Sequence, residues 1–182
     1  MAKTGFLIWI TGLAGSGKTT LGQSVRRRLL SSGVPTVLLD GDALRAMTGG
    51  VFGYGIEDRR RCAEFYSRLC KLMTEQNLNV ICCTISMFDS VRALNRTSVV
   101  NYLEVYLNAD PELLKARDQK SLYSRETASE VMGRDLAVEV PKNPDLTFEL
   151  GQKGLDAELM AEQVLAAVAQ RGWRRADDQV QY

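Results

Sequence analysis

Phe6-Leu-Ile-Trp-Ile10 is a continuous apolar run, and it leads through Thr11 into the glycine-rich stretch Gly12-Leu-Ala-Gly-Ser-Gly-Lys-Thr19. Such a run is typical of a strand that is buried on both faces, and a helical pattern follows over residues 18–32. The glycines let successive backbone N–H groups turn inward around a polyphosphate, and the positive end of the helix adds to the attraction. The stretch therefore fits the G-x-x-x-x-G-K-[ST] phosphate-binding loop in pattern and in context.

This loop predicts the roles of two side chains. Lys18 supplies a mobile positive charge for the β- and γ-phosphates of a bound nucleotide, and the Thr19 hydroxyl is placed to ligate Mg²⁺. We therefore expect ATP and Mg²⁺ as the cofactors. The residues expected to contact ATP in this loop are Gly12, Leu13, Ala14, Gly15, Ser16, Gly17, Lys18, Thr19 and Thr20.

Apolar segments alternate with longer helical stretches along the rest of the chain. The further predicted strands are Val37–Leu39, Asn79–Ile85, Tyr102–Leu107 and Leu146–Phe148, and the further predicted helices are residues 57–76, 110–117 and 155–170. This alternation is typical of a parallel sheet with crossover helices. We therefore expect an α/β, three-layer P-loop NTPase fold with a mostly parallel five-stranded sheet, helices on both faces and a lid loop. Residues 1–170 are predicted to form a single P-loop kinase domain, and residues 171–182 a polar C-terminal tail.

Composition excludes several classes of function. The 182 residues hold 23 Lys and Arg against 22 Asp and Glu, so no strong net charge favours nucleic acid or membrane surfaces. The chain has no His, which excludes imidazole metal sites, Ser-His-Asp triads and histidine general bases. Its cysteines form no CxxC pair and are expected to be reduced thiols in the core of a cytosolic protein, with a redox or metal role as the alternative. The N-terminal apolar run is too short for a signal peptide or a membrane span, so a cytoplasmic location is expected.

Two carboxylates follow the second predicted strand, in Asp40-Gly41-Asp42. If this stretch is extended, both side chains point to one side at the carboxyl edge of the sheet, where open α/β folds bind ligands. Two carboxylates beside a phosphate-binding loop can hold Mg²⁺ or accept a proton from an acceptor hydroxyl. The alternative is structural, with Asp42 as a helix N-cap and Asp40 in a turn.

Other charged and aromatic residues are candidates for contacting an anionic acceptor. The cationic candidates are Arg45, Arg59, Arg60, Arg61 and Arg92, and the aromatic candidates for stacking on a base are Phe52 and Tyr54. A solvated helix surface and local core packing are the respective alternatives. Residues 118–144 form a polar segment that is long for a connection, which is typical of a functional lid. Arg117, directly before this segment, and Lys120 within it are expected to contact ATP, with a solvated basic face as the alternative.

A series of motifs runs along the chain in a fixed order, namely Ile10 to Thr19, Leu39-Asp-Gly-Asp42 with Arg45, Gly53-Tyr54, Glu57-Asp-Arg59, Ile85-Ser86, Glu104-Val-Tyr106, Arg117-Asp118, Lys120-Ser-Leu-Tyr123 and Pro141-Lys-Asn-Pro144-Asp-Leu146. With these motifs the chain resembles the adenylylsulfate kinase family over roughly residues 5 to 150. The resemblance implies ATP-dependent phosphorylation of the 3′-hydroxyl of adenylylsulfate. It also implies a small-molecule nucleotide as the partner, and a homodimer is the candidate assembly.

The resemblance implies roles for individual residues. Lys18, Asp40, Asp42 and Ser86 form the implied catalytic set, and Thr19 and Asp40 are the implied Mg²⁺ ligands. The implied acceptor-binding residues are Asp42, Arg45, Tyr54, Arg59, Cys62, Ile85, Ser86, Lys120 and Val131.

The departures from the family pattern cluster on the acceptor side. The stretches Cys62-Ala-Glu-Phe65, Ile85-Ser-Met-Phe-Asp89 and Val131-Met-Gly133 stand where the family has Asn-Ile-Arg-Arg, Ile-Ser-Pro-Tyr-Arg and Phe-Thr-Gly. Val131 cannot stack on a base as the family's phenylalanine would, and loss of an aromatic stacking partner costs about 1–3 kcal/mol in binding a base. We therefore keep three hypotheses, with adenylylsulfate as the first acceptor. The second is another activated nucleotide such as cytidine diphosphoramidate, and the third is a non-catalytic nucleotide-binding module.

Overall fold

The computed structural model describes residues 4–116 and 138–173, and its centre is a five-stranded sheet in the order β2-β3-β1-β4-β5. The strands are β1 (Phe6–Gly12), β2 (Thr36–Asp40), β3 (Asn79–Cys83), β4 (Asn101–Asn108) and β5 (Leu146–Glu149). Every neighbouring pair of these strands is parallel. The α/β fold class is confirmed, and the sheet is fully parallel where a mostly parallel one was expected.

Six helices connect and cover these strands in the described residues. They are α1 (Lys18–Ser31), α2 (Gly41–Met47), α3 (Ile56–Glu75), α4 (Asp89–Ser98), α5 (Pro111–Ala116) and α6 (Ala157–Gln170). The predicted helices are present, with ends within two residues of those expected. The sequence analysis missed α2 and α4, both of which begin directly after a strand or loop at the carboxyl edge of the sheet.

Alternate side chains of β1 bury on opposite faces of the sheet, as the period of a strand requires. Ile8 and its neighbours on one face pack against α1 and α6. Trp9 and its neighbours on the other face pack against α3 and α4. This arrangement forms the expected three layers and leaves the loops after β1, β2 and β3 at one edge.

The four cysteines lie in these two cores as buried free thiols, as expected. Burial raises the pKa of the Cys83 thiol to about 12, and the Cys83 Sγ donates to the Lys18 carbonyl at 3.3 Å. The thiol form therefore dominates at neutral pH, where it acts as a small packing group.

Residues 171–173, the first residues of the predicted polar C-terminal tail, contact the rest of the described chain. The Arg171 guanidinium pairs with Asp145 at 2.8 Å. The Trp173 ring stacks on Phe6 with the ring centroids 6.1 Å apart. These contacts tie the start of the predicted tail to the domain, and residues 174–182 lie outside the described residues. No described helix combines the length and the apolar character that crossing a bilayer requires.

One carboxylate joins α1 to α6. Glu158, in the first turn of α6, accepts a hydrogen bond from the Ser24 hydroxyl at 2.7 Å and pairs with Arg28 at 2.9 Å and with Arg27. These partners hold the pKa of the Glu158 carboxyl at about 2, well below its ordinary value of 4.5. The ionised form is therefore favoured in the folded chain.

Replacement of Glu158 with glutamine should lower the free energy of unfolding at about pH 7 and have almost no effect near pH 2. Because the folded pKa is depressed, the contribution of this carboxylate is full above the unfolded value and is lost as pH falls through the folded value. Urea denaturation of both proteins between about pH 7 and about pH 2 measures the difference. Glu162→Gln, at an exposed position on the same helix, is the control. A difference that stays constant across this range would contradict the assignment.

Candidate active site

The glycine-rich loop lies between the end of β1 and the start of α1, where the sequence placed it. Gly15 and Gly17 have φ angles of 76° and 86°, in the left-handed region that favours glycine. Gly17 is the N-cap of α1, and the Ser16 N–H donates to the Leu13 carbonyl at 3.2 Å to close a turn. The loop therefore sets the backbone at the N-terminus of a fourteen-residue helix, the geometry that binds phosphate.

Two side chains of this loop have defined partners. The Lys18 ammonium donates to the Leu13 carbonyl at 2.7 Å, so the side chain folds back over its own loop. The Thr19 hydroxyl donates to Asp40 Oδ2 at 2.6 Å. The hydrogen bond joins the phosphate-binding loop to the end of β2, and it places two oxygen atoms of the kind that Mg²⁺ prefers side by side.

Asp40 and Asp42 occupy different elements. Asp40 ends β2 and is the N-cap of α2, because its Oδ1 accepts from the N–H groups of Asp42 at 3.0 Å and Ala43 at 3.2 Å. Asp42 lies in the first turn of α2. The expectation of an extended stretch with both carboxylates on one side was therefore wrong, since the chain turns into a helix directly after Asp40. The capping residue is also Asp40, where the structural alternative had named Asp42.

An open cleft lies beside this pair of carboxylates, between α2, α3 and the loop after β3. It is lined by Gly41, Asp42, Arg45, Arg59, Cys62, Ala63, Tyr66, Thr84, Ile85, Ser86 and Phe88. Six of these residues were predicted as acceptor contacts, namely Asp42, Arg45, Arg59, Cys62, Ile85 and Ser86. Carboxylate, guanidinium and hydroxyl groups therefore converge on one cleft next to the phosphate-binding loop.

The cleft also contains residues that the sequence analysis did not select. They include Tyr66 on α3 and Phe88, which was noted only as part of a departure from the family pattern. The Tyr66 hydroxyl donates to the Gly41 carbonyl at 3.4 Å. Burial, with a further contribution from the neighbouring Cys62 thiol, raises the pKa of Tyr66 above its ordinary value, so the hydroxyl stays protonated. The spacing of four residues between Cys62 and Tyr66 was the signal that places both on one helix face.

Tyr54 contacts the two arginines of the cleft from outside its lining. The Arg45 and Arg59 guanidinium groups lie 4.9 and 5.5 Å from the centre of the Tyr54 ring. Arg45 also donates to the Gly53 carbonyl at 3.0 Å, and Arg59 donates to the Tyr54 carbonyl at 2.6 Å. The ring therefore orients both guanidinium groups while 62% of its residue surface stays exposed.

The loop after β3 is held in an unusual backbone conformation. Ser86 has a φ of 25°, which non-glycine residues rarely adopt. The hydroxyls of Thr84 and Ser86 are 2.7 Å apart, and the fully buried Thr11 donates its hydroxyl proton to the Ile85 carbonyl. The strand that leads into the phosphate-binding loop therefore also fixes the loop that lines the cleft.

Several candidates lie elsewhere. Arg92 is buried and pairs with Asp89 and Glu104, so the expectation that it binds an acceptor was wrong. Arg61 is exposed and pairs with Asp58, away from the cleft lining. Phe52 packs against Phe65 at a centroid distance of 5.9 Å, which supports the local-core alternative. The predicted lid residues Arg117, Lys120 and Val131 lie outside the described residues.

Comparison with known proteins agrees with this geometry. An adenylyl-sulfate kinase of Vibrio cholerae is 38% identical over 170 residues, which cover 91% of this chain and 78% of that protein. A cytidine diphosphoramidate kinase of Campylobacter jejuni is 37% identical over 145 residues, which cover 78% of this chain and 85% of that protein. The two relatives carry the names of the two enzymes that the departures in the acceptor half had left open.

A solved structure resembles the whole fold. The Mycobacterium tuberculosis APS kinase in complex with AMPPNP and APS matches with a TM-score of 0.83 and 29% identity, covering 92% of this chain and 99% of that chain. The family model described as adenylylsulphate kinase matches residues 4–149, which include both the loop and the cleft. The protein is thus an ATP-dependent kinase that phosphorylates a hydroxyl group, and the chain belongs to the adenylylsulphate kinase family.

Proposed function

We propose that this protein transfers the γ-phosphate of ATP to the 3′-hydroxyl of adenylylsulfate, with Mg²⁺ as the metal ion. The observation that carries the proposal is the hydrogen bond of 2.6 Å between Thr19 and Asp40. It holds the phosphate-binding loop against the end of β2, and the next two residues, Gly41 and Asp42, line the acceptor cleft. A γ-phosphate on the loop and a hydroxyl in the cleft therefore meet across this contact.

The donor side of the site fits Mg·ATP. The backbone of residues 12–20 binds the phosphates, and Lys18 moves from the Leu13 carbonyl to the β- and γ-phosphates. Thr19 and Asp40 offer a hydroxyl and a carboxylate oxygen, which are ligands that Mg²⁺ accepts. When it is bound, the ion neutralises charge on the phosphates during transfer.

The acceptor side of the site fits an anionic nucleotide. Arg45 and Arg59 bring two positive charges to the cleft, and both are oriented by Tyr54. Asp42 orients the attacking hydroxyl and accepts its proton. The Ser86 hydroxyl, which also lines the cleft, forms a hydrogen bond with the acceptor. Holding the hydroxyl in line with the γ-phosphate lowers the entropic part of the barrier.

Cytidine diphosphoramidate is the second candidate acceptor. It is favoured by one wall of the cleft, where the Cys62 thiol and the Tyr66 ring stand together. The family pattern has an amide at the position of Cys62, and an amide can pair with the edge of a base where a thiol pairs only weakly. A cytidine acceptor would make different contacts at this wall from an adenosine acceptor.

An acceptor screen separates these candidates. Purified protein with ATP and Mg²⁺ is incubated with adenylylsulfate and, separately, with cytidine diphosphoramidate, and ADP release is followed over time. Lys18→Ala protein gives the background rate. Turnover on adenylylsulfate supports the first proposal, and turnover on the cytidine compound alone would replace it with the second. ADP release at the background rate with both compounds would contradict both.

Four further expectations stay predictions from the sequence. Arg117 and Lys120 are proposed to contact ATP, and Val131 to contact the acceptor nucleotide. A homodimer is the proposed assembly, and the cytoplasm is the proposed location.

A further inference from the structure

The loop over residues 84–88 decides the shape of the acceptor cleft, because four of its five residues line it. Phe88 ends this loop and is only 2% exposed. It packs in the core of the sheet's second face and also lines the cleft, whose other walls carry Asp42, Arg45 and Arg59. An uncharged aromatic residue at this wall fits the nucleoside part of an acceptor, since the anionic groups are attracted to the guanidinium groups.

Two side chains from outside the loop hold Phe88 in place. The Arg60 guanidinium lies over the Phe88 ring, 4.8 Å from its centre, and it also donates to the Ser90 hydroxyl at 3.2 Å. Glu139 binds the backbone on both sides of Phe88. Its N–H donates to the Met87 carbonyl at 3.0 Å, and its carboxylate accepts from the Asp89 N–H. The same carboxylate is 3.9 Å from the Arg60 guanidinium, so the two holding groups also attract each other.

A buried arginine supports the backbone of Glu139. Arg92 donates to the Glu139 carbonyl at 2.7 Å and pairs with Asp89. Its other partner is the buried Glu104, whose carboxylate lies 3.5 Å away. Asp89 stands where the family pattern has an arginine. In this chain the cations at this corner come from α3 and α4, and Asp89, the first residue of α4, contributes a carboxylate.

We propose that Phe88 is a specificity-determining residue that contacts the nucleoside of the acceptor, and that Arg60 and Glu139 are positioning residues that act through it. The inference rests on the proposed function, because it assumes that the cleft holds an activated nucleotide. It assigns a role in acceptor binding to three residues, and the sequence analysis had selected only Arg60 among them. Arg60 was a candidate for direct contact with the acceptor, whereas here it acts through the Phe88 ring.

Steady-state kinetics with the acceptor that the wild type phosphorylates test this assignment. Phe88→Ala, Arg60→Ala and Glu139→Ala should each raise the KM for the acceptor, by about tenfold for Phe88→Ala, and leave the KM for ATP within about twofold. Glu139→Gln should recover most of the loss, because its amide oxygen still accepts from the Asp89 N–H. Arg68→Ala, in an exposed pair with Glu64 on α3, is the matched control. Equal changes in both KM values, or none in Phe88→Ala, would overturn the inference.

Calorimetry separates this inference from the proposed function. Each acceptor is titrated into wild-type and Phe88→Ala protein that holds a non-hydrolysable ATP analogue. An acceptor that binds the wild type about tenfold more tightly than it binds Phe88→Ala protein supports the inference, even if it is not phosphorylated. An acceptor that is phosphorylated but binds both proteins equally overturns the inference alone. Failure of both acceptors to bind the wild type would contradict the inference and the proposed function together.

Discussion

Lys18→Ala protein should fold normally and show a kcat lowered by about a thousandfold. The charge of this side chain is the one that the phosphate-binding loop brings to the β- and γ-phosphates, where negative charge must be balanced during transfer. In the structure the ammonium donates to the Leu13 carbonyl at 2.7 Å and to the Ser16 hydroxyl at 3.5 Å, and Lys18 is a member of neither apolar core. Its removal therefore leaves both apolar cores intact. Initial rates of ADP release, with circular dichroism to confirm the fold, give the comparison.

A second lysine variant serves as the control for this measurement. Lys71→Ala removes an equal charge from the half-exposed surface of α3, where the ammonium pairs with Glu75 at 2.6 Å. This variant should turn over at nearly the wild-type rate, since exposed pairs of this kind contribute little. If Lys18→Ala matched Lys71→Ala in rate, the glycine-rich loop could not be the site that holds the transferred phosphate.

Asp42→Asn and Asp40→Asn should affect two different kinetic quantities. We expect Asp42→Asn to lower kcat by about 100- to 10,000-fold with little change in ATP affinity, because an amide cannot accept the proton of the acceptor hydroxyl. Asp40→Asn should raise the Mg²⁺ concentration needed for half-maximal rate, because a neutral oxygen binds the ion more weakly. Rates measured across Mg²⁺ and acceptor concentrations distinguish the two effects.

The fold should survive both substitutions. Asp40 caps α2 through its carboxylate, and asparagine caps helices about as well as aspartate. Asp156→Asn is the matched control, because Asp156 caps α6 by accepting from the Leu159 N–H at 2.8 Å. It should leave both quantities unchanged. An Asp42→Asn protein that lost ATP binding and kept its acceptor kinetics would show that the assigned roles are wrong.

The strands and the long helices were predictable from sequence because burial on both faces and helical periodicity leave clear patterns. The residues of β1 are all buried, as the continuous apolar run from Phe6 to Ile10 predicted. The helices α2 and α4 were missed because they have seven and ten residues, too few for a strong periodic signal. Helices of this length depend on capping and tertiary packing more than on their own propensity.

The residues of the candidate site were predictable where a sequence motif fixes the backbone. They were less predictable where tertiary packing decides which side chains line the cleft. Thr19 and Asp40 meet as their places after β1 and β2 suggested. Tyr66 and Phe88 were not predicted as cleft residues, because an aromatic residue in a buried pattern indicates the core. They line the cleft because α3 packs beside the loop after β3. Arg92 was a candidate for contacting the acceptor on its charge alone, and the structure buries it against two carboxylates.

The partner of Arg92 did have a signal in the sequence. Glu104 interrupts the apolar run Tyr102-Leu-Glu-Val-Tyr, and it is 3% exposed in the structure. A carboxylate inside a buried strand requires cations nearby, because an unpaired buried charge is costly. Arg92 and Arg96 supply them, at 3.5 and 2.9 Å. A buried acid in a strand therefore indicates that some nearby arginines are structural and unavailable to a ligand.

Mass spectrometry of the reaction product tests the central claim most directly. Wild-type protein is incubated with ATP, Mg²⁺ and adenylylsulfate, and the nucleotides are separated and their masses are measured. A reaction with Asp42→Asn protein is run in parallel. The account predicts an adenylylsulfate that is heavier by one phosphoryl group, formed in step with ADP and nearly absent from the Asp42→Asn reaction. Unchanged adenylylsulfate from a protein that phosphorylates cytidine diphosphoramidate would contradict the proposed acceptor. ADP formed with no phosphorylated acceptor of either kind would contradict the account as a whole.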